Sequence, residues 1–284
     1  MKKFLVITIS AIMILSMAAV SMAAVTVGGE SNFGWNMSPD TAQDEFGDAK
    51  VTVTADVNDS TQIFTALKGN TGGAVAVDEA WASFKTDSLT TKVGNFGFNL
   101  DGDVDIITTL DEIKQDAGIS VAAKVSDAMT VSGYLARFGD AVGTADNEMQ
   151  NNYALSVAYD TDSLGGKLAY SASTVEDTAG IMSLSGYYKM GAFKPYVTYE
   201  SFGEQLGVEI GNNAVLGAMY DGEKIYGRAE FQVVQKDTES DAEVAGNQGF
   251  RIGYKINPNA KVEYNTKTIG DNDAESSIKL NVIF

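Results

Sequence analysis

Residues 275–284 read ESSIKLNVIF. Ile278, Leu280, Val282 and Phe284 fall on one parity, and Ser277, Lys279, Asn281 and Ile283 on the other. An apolar/polar alternation of period two marks a strand with one oily and one wet face. Here it reaches Phe284 with no polar tail after it. A sheet closed into a cylinder explains such an ending, because its last strand pairs with its first and no edge is left exposed.

The same alternation recurs along the chain. NNYALSVAYD (151–160) sets Tyr153, Leu155, Val157 and Tyr159 against Ala154, Ser156 and Ala158. GAFKPYVTYE (191–200) sets Phe193, Pro195, Val197 and Tyr199 against Lys194, Tyr196, Thr198 and Glu200. In KIYGRAEFQVV (224–234), Ile225, Gly227, Ala229, Phe231 and Val233 oppose Arg228, Glu230 and Gln232. In GFRIGYKI (249–256), Phe250, Ile252, Tyr254 and Ile256 oppose Arg251, Gly253 and Lys255. In a sandwich the apolar face meets a second sheet, whereas in a membrane barrel it meets lipid and the polar face lines a lumen. Two features favour the barrel. Aromatics sit at both ends of several apolar faces, as interfacial girdles require. The segments also approach the length of about nine to eleven residues that a tilted strand needs to cross a bilayer.

The chain has 284 residues, 44% hydrophobic and 20% charged, a folded rather than a disordered composition. It has no cysteine, which excludes disulfides and thiolate metal sites, and no histidine, which removes the commonest general base and metal ligand. These absences argue against an enzyme and call for no metal or other cofactor. The acidic balance gives no electrostatic footprint for nucleic acid. The start, MKKFLVITISAIMILSMAAVSMA, has Lys2 and Lys3 before an apolar run from Phe4 to Val20 and then Ser21-Met22-Ala23. That order predicts a secretory signal peptide over 1–23 and one barrel domain over 24–284.

Strands are expected at 24–37, 49–57, 61–68, 75–86, 90–99, 117–126, 129–138, 151–160, 166–174, 181–189, 192–201, 214–220, 224–235, 249–256, 260–267 and 275–284. The fold class is therefore all-β, a single antiparallel transmembrane barrel of sixteen strands, with fourteen or eighteen as alternatives. Short turns at 58–60, 87–89, 127–129, 161–165, 190–191, 221–223 and 257–259 alternate with longer connections. Short periplasmic turns and long outer loops are the asymmetry such barrels show. EQLGVEIGNN (204–213) carries Leu206, Val208 and Ile210 in alternation, but an added strand breaks the pattern of connections, so it is assigned to a loop.

The formal net charge is −18 and is unevenly spread. The long connections 38–48, 69–74, 100–116, 139–150, 175–180, 202–213, 236–248 and 268–275 hold 24 of the 38 acidic residues, with Lys114 and Lys236 their only bases. A charge confined to one end of a cylinder acts on what enters it.

VDEAWASFKTDSLTTKVGNFGF (77–98) resembles the general porin family of Gram-negative-type outer membranes in its Ala-aromatic strand, tight turn and Gly-containing strand. AVTVGGESNFGW (24–35) resembles a porin first strand, RIGYKINPNAKVEYNTKT (251–268) a late hairpin, and Phe284 the family's terminal assembly signal. The resemblance implies a homotrimer, insertion into the outer membrane by the assembly machinery that reads the last strand, and a third outer loop folded into the lumen. That loop is 100–116, with Asp101, Asp103, Asp105, Asp111, Glu112 and Asp116 as constriction acids and a short helix over Thr109–Gln115. Asn95 takes the position where many relatives carry Arg, and the usual Pro-Glu-Phe-Gly-Gly signature is absent. The lumen-wall candidates are Asn95, Lys194, Arg228, Glu230, Arg251, Lys255 and Glu30. A basic wall facing an acidic loop would set a transverse field. The expected function is passive diffusion of small hydrophilic solutes and ions through a water-filled, cation-preferring channel embedded in membrane lipid. The alternative is a structural or adhesive outer-membrane barrel without open-channel activity.

Overall fold

The computed structural model describes residues 24–37, 45–70, 75–99, 113–137, 151–173, 180–202, 204–205, 208–237, 246–268 and 274–284. The signal-peptide segment 1–23 lies outside them, as does most of the third long connection. The strands are β1 (Ala24–Asn36), β2 (Glu45–Asn58), β3 (Thr61–Asn70), β4 (Val75–Lys85), β5 (Leu89–Phe98), β6 (Ile113–Lys124), β7 (Met129–Arg137), β8 (Asn151–Asp160), β9 (Leu164–Ser173), β10 (Ile181–Tyr188), β11 (Phe193–Phe202), β12 (Glu204–Gln205), β13 (Val208–Asp221), β14 (Ile225–Asp237), β15 (Gln248–Asn257), β16 (Ala260–Thr268) and β17 (Glu275–Ile283). The two-residue β12 pairs only with the start of β13. The other sixteen form one closed antiparallel wall, each hydrogen-bonded to its sequence neighbours, with β11 running directly to β13 and β17 returning to β1.

Closure is made by the segment whose alternation ends the chain. β17 pairs with β1 from Asn36↔Ser277 to Glu30↔Ile283. Beyond it, Gly29 N–H donates to Phe284 O (2.8 Å) and Phe284 N–H donates to Gly29 O (2.9 Å). A Cβ at Gly29 would lie 2.4 Å from the Lys50 carbonyl oxygen and 2.8 Å from Phe284 Cζ, so a glycine there lets the terminal ring lie against the first strand.

The parity read from sequence is the parity of the wall. Curvature splays side chains on the convex face and crowds them on the concave one. Leu155 is 61% exposed while its neighbour Ser156 is 6% exposed. Phe193, Val197 and Tyr199 point out while Tyr196, Thr198 and Glu200 are buried inward. The exposed valines, leucines and aromatics run round the barrel as an apolar belt far larger than monomeric soluble proteins leave bare.

Three expectations are corrected. β2, β6 and β13 begin at Glu45, Ile113 and Val208, earlier than the hydrophobic pattern predicts. Hydrophobic alternation reports where strands face an apolar medium, but the backbone ladder continues past it with polar residues. For the same reason the 204–213 segment is not a plain loop: Glu204–Gln205 and Val208–Glu209 form a small hairpin, and β13 continues without interruption from it. The helix expected over Thr109–Gln115 does not extend to its predicted end, because Ile113, Lys114 and Gln115 pair with Phe98, Gly97 and Phe96.

Between Gly94 and Phe96 the β5–β6 register slips, leaving an extra residue on β6. Gly94 has φ +133°, and a Cβ there would sit 2.3 Å from the Ala80 carbonyl oxygen, so only glycine suits this bulge. Past it, β5 leans into the barrel. Phe96 and Phe98 pack with Tyr134 of β7, Ala154 of β8 and Ala169 of β9.

Candidate lumen site

The inward face carries most of the polar chemistry. Lys92, Lys167, Lys194, Arg228 and Lys261 each lie within three residues of the start of their strand, just after a short turn. Lys255 lies two residues before the end of β15, at the same end of the cylinder. The lumen face toward the short turns therefore carries cations on β5, β9, β11, β14, β15 and β16. Several rest on rings: Lys92 Nζ is 4.0 Å from the Trp81 centroid and Lys194 Nζ is 4.0 Å from that of Tyr187.

Inward tyrosines are seated on glycines of the next strand. Tyr196 pairs with Gly217 and Tyr226 with Gly253. A Cβ on either glycine would come within 2.1 Å of the tyrosine Cζ, so each ring occupies the space a side chain would fill. Laid flat, the rings bring their hydroxyls to buried carboxylates. Tyr196 Oη donates to Glu230 Oε1 (2.5 Å) and Tyr226 Oη donates to Glu263 Oε1 (2.7 Å). Glu230 is fully buried and also holds Arg228 Nη1 at 3.3 Å. Along the same wall, Asn213 Nδ2 donates to Glu200 Oε2 (2.9 Å) and Gln232 Nε2 to Asn213 Oδ1 (2.8 Å). Each link orders a polar group that a narrow lumen would otherwise strip of water.

Between β13 and β16 this wall forms a hollow of about 280 Å³ lined by Met219, Asp221, Tyr226, Arg228, Arg251, Lys255, Lys261 and Glu263, among others. Arg251 Nε donates to Asn265 Oδ1 (2.6 Å) and Lys255 Nζ donates to Asp221 Oδ1 (2.6 Å).

Among the expected wall residues, Lys194, Arg228, Glu230, Arg251 and Lys255 lie on the inward face, with Lys194, Arg228 and Lys255 toward the short-turn end and Arg251 nearer the middle of β15. Glu30 faces Asn281, whose Nδ2 is 3.5 Å from Glu30 Oε2 and 2.5 Å from Asn32 Oδ1. Asn95 is corrected. It shares the parity of Val93 and pairs with Ala80, whereas Lys92 and Phe96 hold the inward parity. A gap of one residue from the glycine reversed its face. Asp101, Asp103, Asp105, Asp111 and Glu112 lie outside the described residues. Asp116 belongs to the strand β6 rather than to a loop.

No protein-family model matches the chain, and no curated sequence matches it. Solved structures do. Variants of Rhodopseudomonas blastica porin superpose with TM-scores of 0.72 and 0.70 at 13% identity, each covering 92% of this chain and all of the other. The chain has the porin-type fold. At that identity the likeness shows architecture alone, so the chemistry of this porin-type barrel must come from its own residues.

Several lumen residues of the porin-type barrel escape sequence reasoning. Between Ala66 and Leu67 the β3–β4 register slips, with Asp78 as the extra residue. Lys50 Nζ reaches both Asp78 (2.8 Å) and the adjacent Glu79 (3.6 Å). Adjacent acids read as one in and one out unless a bulge is foreseen, and only the doublet in VDEAW hinted at it. Tyr226, Glu263 and Lys261 were hidden because their association depends on register across three strands.

Proposed function

We propose that this chain is an outer-membrane channel of the porin type, through which small hydrophilic solutes and ions diffuse passively. The observation that carries it is the closed wall of sixteen strands with an apolar belt outside and charged, hydrogen-bonded residues inside. A soluble protein gains nothing from that inversion, and lipid requires it. The exposed belt makes hydrocarbon the first partner, with aromatics such as Tyr153, Tyr159, Phe193 and Tyr199 at its two margins. The family resemblance extends the reading to a signal peptide over 1–23, a homotrimer and a last strand ending in Phe284 that the insertion machinery recognises.

A constriction by the third connection is part of this reading. What supports it is the inward path of β5: Lys167 Nζ of β9 donates to Asn99 Oδ1 at 3.1 Å, 68 residues away, at the point where the connection begins. Asp101, Asp103, Asp105, Asp111 and Glu112 follow directly in sequence, with Asp116 just beyond in β6. Cation preference rests on the acidity of the long connections, which outweighs the cations near the short turns. The test is planar-bilayer recording of the refolded protein. The expected result is stepwise ohmic conductance and a reversal potential in a KCl gradient with the sign of potassium preference. Silence in the bilayer refutes the channel; chloride preference refutes the charge argument and leaves the channel standing.

A further inference from the structure

The hollow between β13 and β16 contains two directly opposed like-charge pairs, Arg228↔Arg251 and Lys255↔Lys261. Like charges facing each other across strands destabilise a sheet. Among the described residues, the other end of the wall has the opposed pair Lys50↔Lys68, but Asp48, Asp78 and Glu79 bind those two lysines, so acids outnumber cations around that pair. In the hollow the balance is reversed: four cations line it with the carboxylates Asp221 and Glu263, and a third carboxylate, Glu230, lies beside Arg228. All three carboxylates are already engaged, Asp221 by Lys255, Glu263 by Tyr226 and Lys261, and Glu230 by Tyr196 and Arg228, and one positive charge remains in excess. The cations are also held in place. Arg251 is oriented by Asn265, Arg228 packs beside the Tyr196 ring (5.7 Å), and Lys255 and Lys261 lie 5.8 and 5.4 Å from the Tyr226 centroid. Surplus positive charge fixed round a small concavity, two of its members planar guanidinium groups, is complementary to a compact oxyanion bearing more than one charge.

We infer that this hollow is a binding subsite for a phosphate-like oxyanion, free or carried on a solute, at the short-turn mouth of the lumen. It deepens the channel reading, since the hollow opens on the solute path: a cation-preferring entrance would be followed by a station that retains a multivalent anionic group.

The experiment uses the refolded barrel and inorganic phosphate, with sulfate and chloride in parallel. Calorimetric titration in micelles is expected to show saturable phosphate binding, weakened about tenfold in both Arg251→Gln and Arg228→Gln, since each removes a charge-assisted hydrogen-bond donor. Arg251→Lys, which keeps the charge but not the planar fork, is expected to fall between native and Arg251→Gln. Lys68→Gln, an equal loss of charge at the other end, is expected to bind like the native barrel. Heat-modifiable gel mobility identifies variants that have folded. Absence of saturable binding to the native barrel overturns the proposal, as does Lys68→Gln weakening binding as much as Arg251→Gln, which would mean general attraction rather than a site. Equal saturable binding of chloride also overturns it. Binding needs no ion current, so a silent barrel that still binds phosphate removes the channel and keeps the subsite, while a conducting barrel without binding does the reverse.

Discussion

Tyr226 shows how one side chain organises the wall. It fills the space over Gly253, its hydroxyl holds Glu263, and Lys255 and Lys261 lie over its face. Replacing Tyr226 by Phe removes a hydrogen bond to a buried carboxylate that Lys261 still holds, and is expected to lower stability by about 1.5–3 kcal/mol, the range for a hydrogen bond to a charged group. Urea unfolding in lipid vesicles measures it, and a change within error would show that water replaces the hydroxyl freely. On the other face, Leu155 lies between Tyr153 and Tyr159. Leu155→Arg sets a charge in the centre of the belt and is expected to lose about 2–4 kcal/mol by the same assay. Tolerance of that arginine would place the belt in water. Sequence told which face each of these residues takes, because alternation needs no knowledge of partners. It did not tell that Tyr226 meets Glu263, 37 positions away, since that requires the register of two intervening pairings. The same gap put Asn95 on the wrong face.

At the scale of elements, the short turns and the closing strand carry separate tests. In the β6–β7 turn, Lys124 Nζ donates to Asp127 Oδ1 at 2.9 Å, and this ammonium holds the Asp127 carboxyl below its ordinary value. A depressed folded-state value means the pair's stabilisation is complete above the ordinary pKa and disappears as pH falls through the folded one. Lys124→Gln is expected to raise the Asp127 pKa, read by carboxyl NMR titration; an unchanged value would show the pair is not formed in solution. At the closing seam, Gly29→Val forces a side chain against the Lys50 carbonyl and the Phe284 ring. It is expected to cut the yield of heat-modifiable barrel severely, with folding restored partly if Phe284 is also made Ala; full folding of Gly29→Val alone would mean the seam is not made by this contact. The number of wall strands and all seven short turns were legible, because turn residues and alternation repeat with a regular beat. The ends of β2, β6 and β13 were not, because outside the belt a strand needs only backbone hydrogen bonds, and those leave no mark in hydropathy. The bulge between Gly94 and Phe96 was equally silent, and the one at Asp78 left no mark beyond its acidic doublet.

For the whole molecule, we propose a charge polarity along the cylinder's axis, from the acids that the sequence concentrates in the long connections to the cations that the described strands carry near the short turns. The first half of that polarity was countable in sequence once the connections were assigned. The second was not, because it depends on how far each lysine sits from a turn after the strands are aligned. All of it presupposes that one face of every strand meets lipid and the other meets water, and the absence of native cysteine makes this directly measurable. Thr52 and Thr54 of β2 face inward, and Val51 and Val53 face out. Each is replaced singly by Cys in the refolded barrel in lipid vesicles and exposed to a charged, membrane-impermeant thiol reagent. The account predicts rapid labelling of Thr52→Cys and Thr54→Cys and protection of Val51→Cys and Val53→Cys. Equal labelling of both parities, or labelling of the valine positions alone, would contradict it.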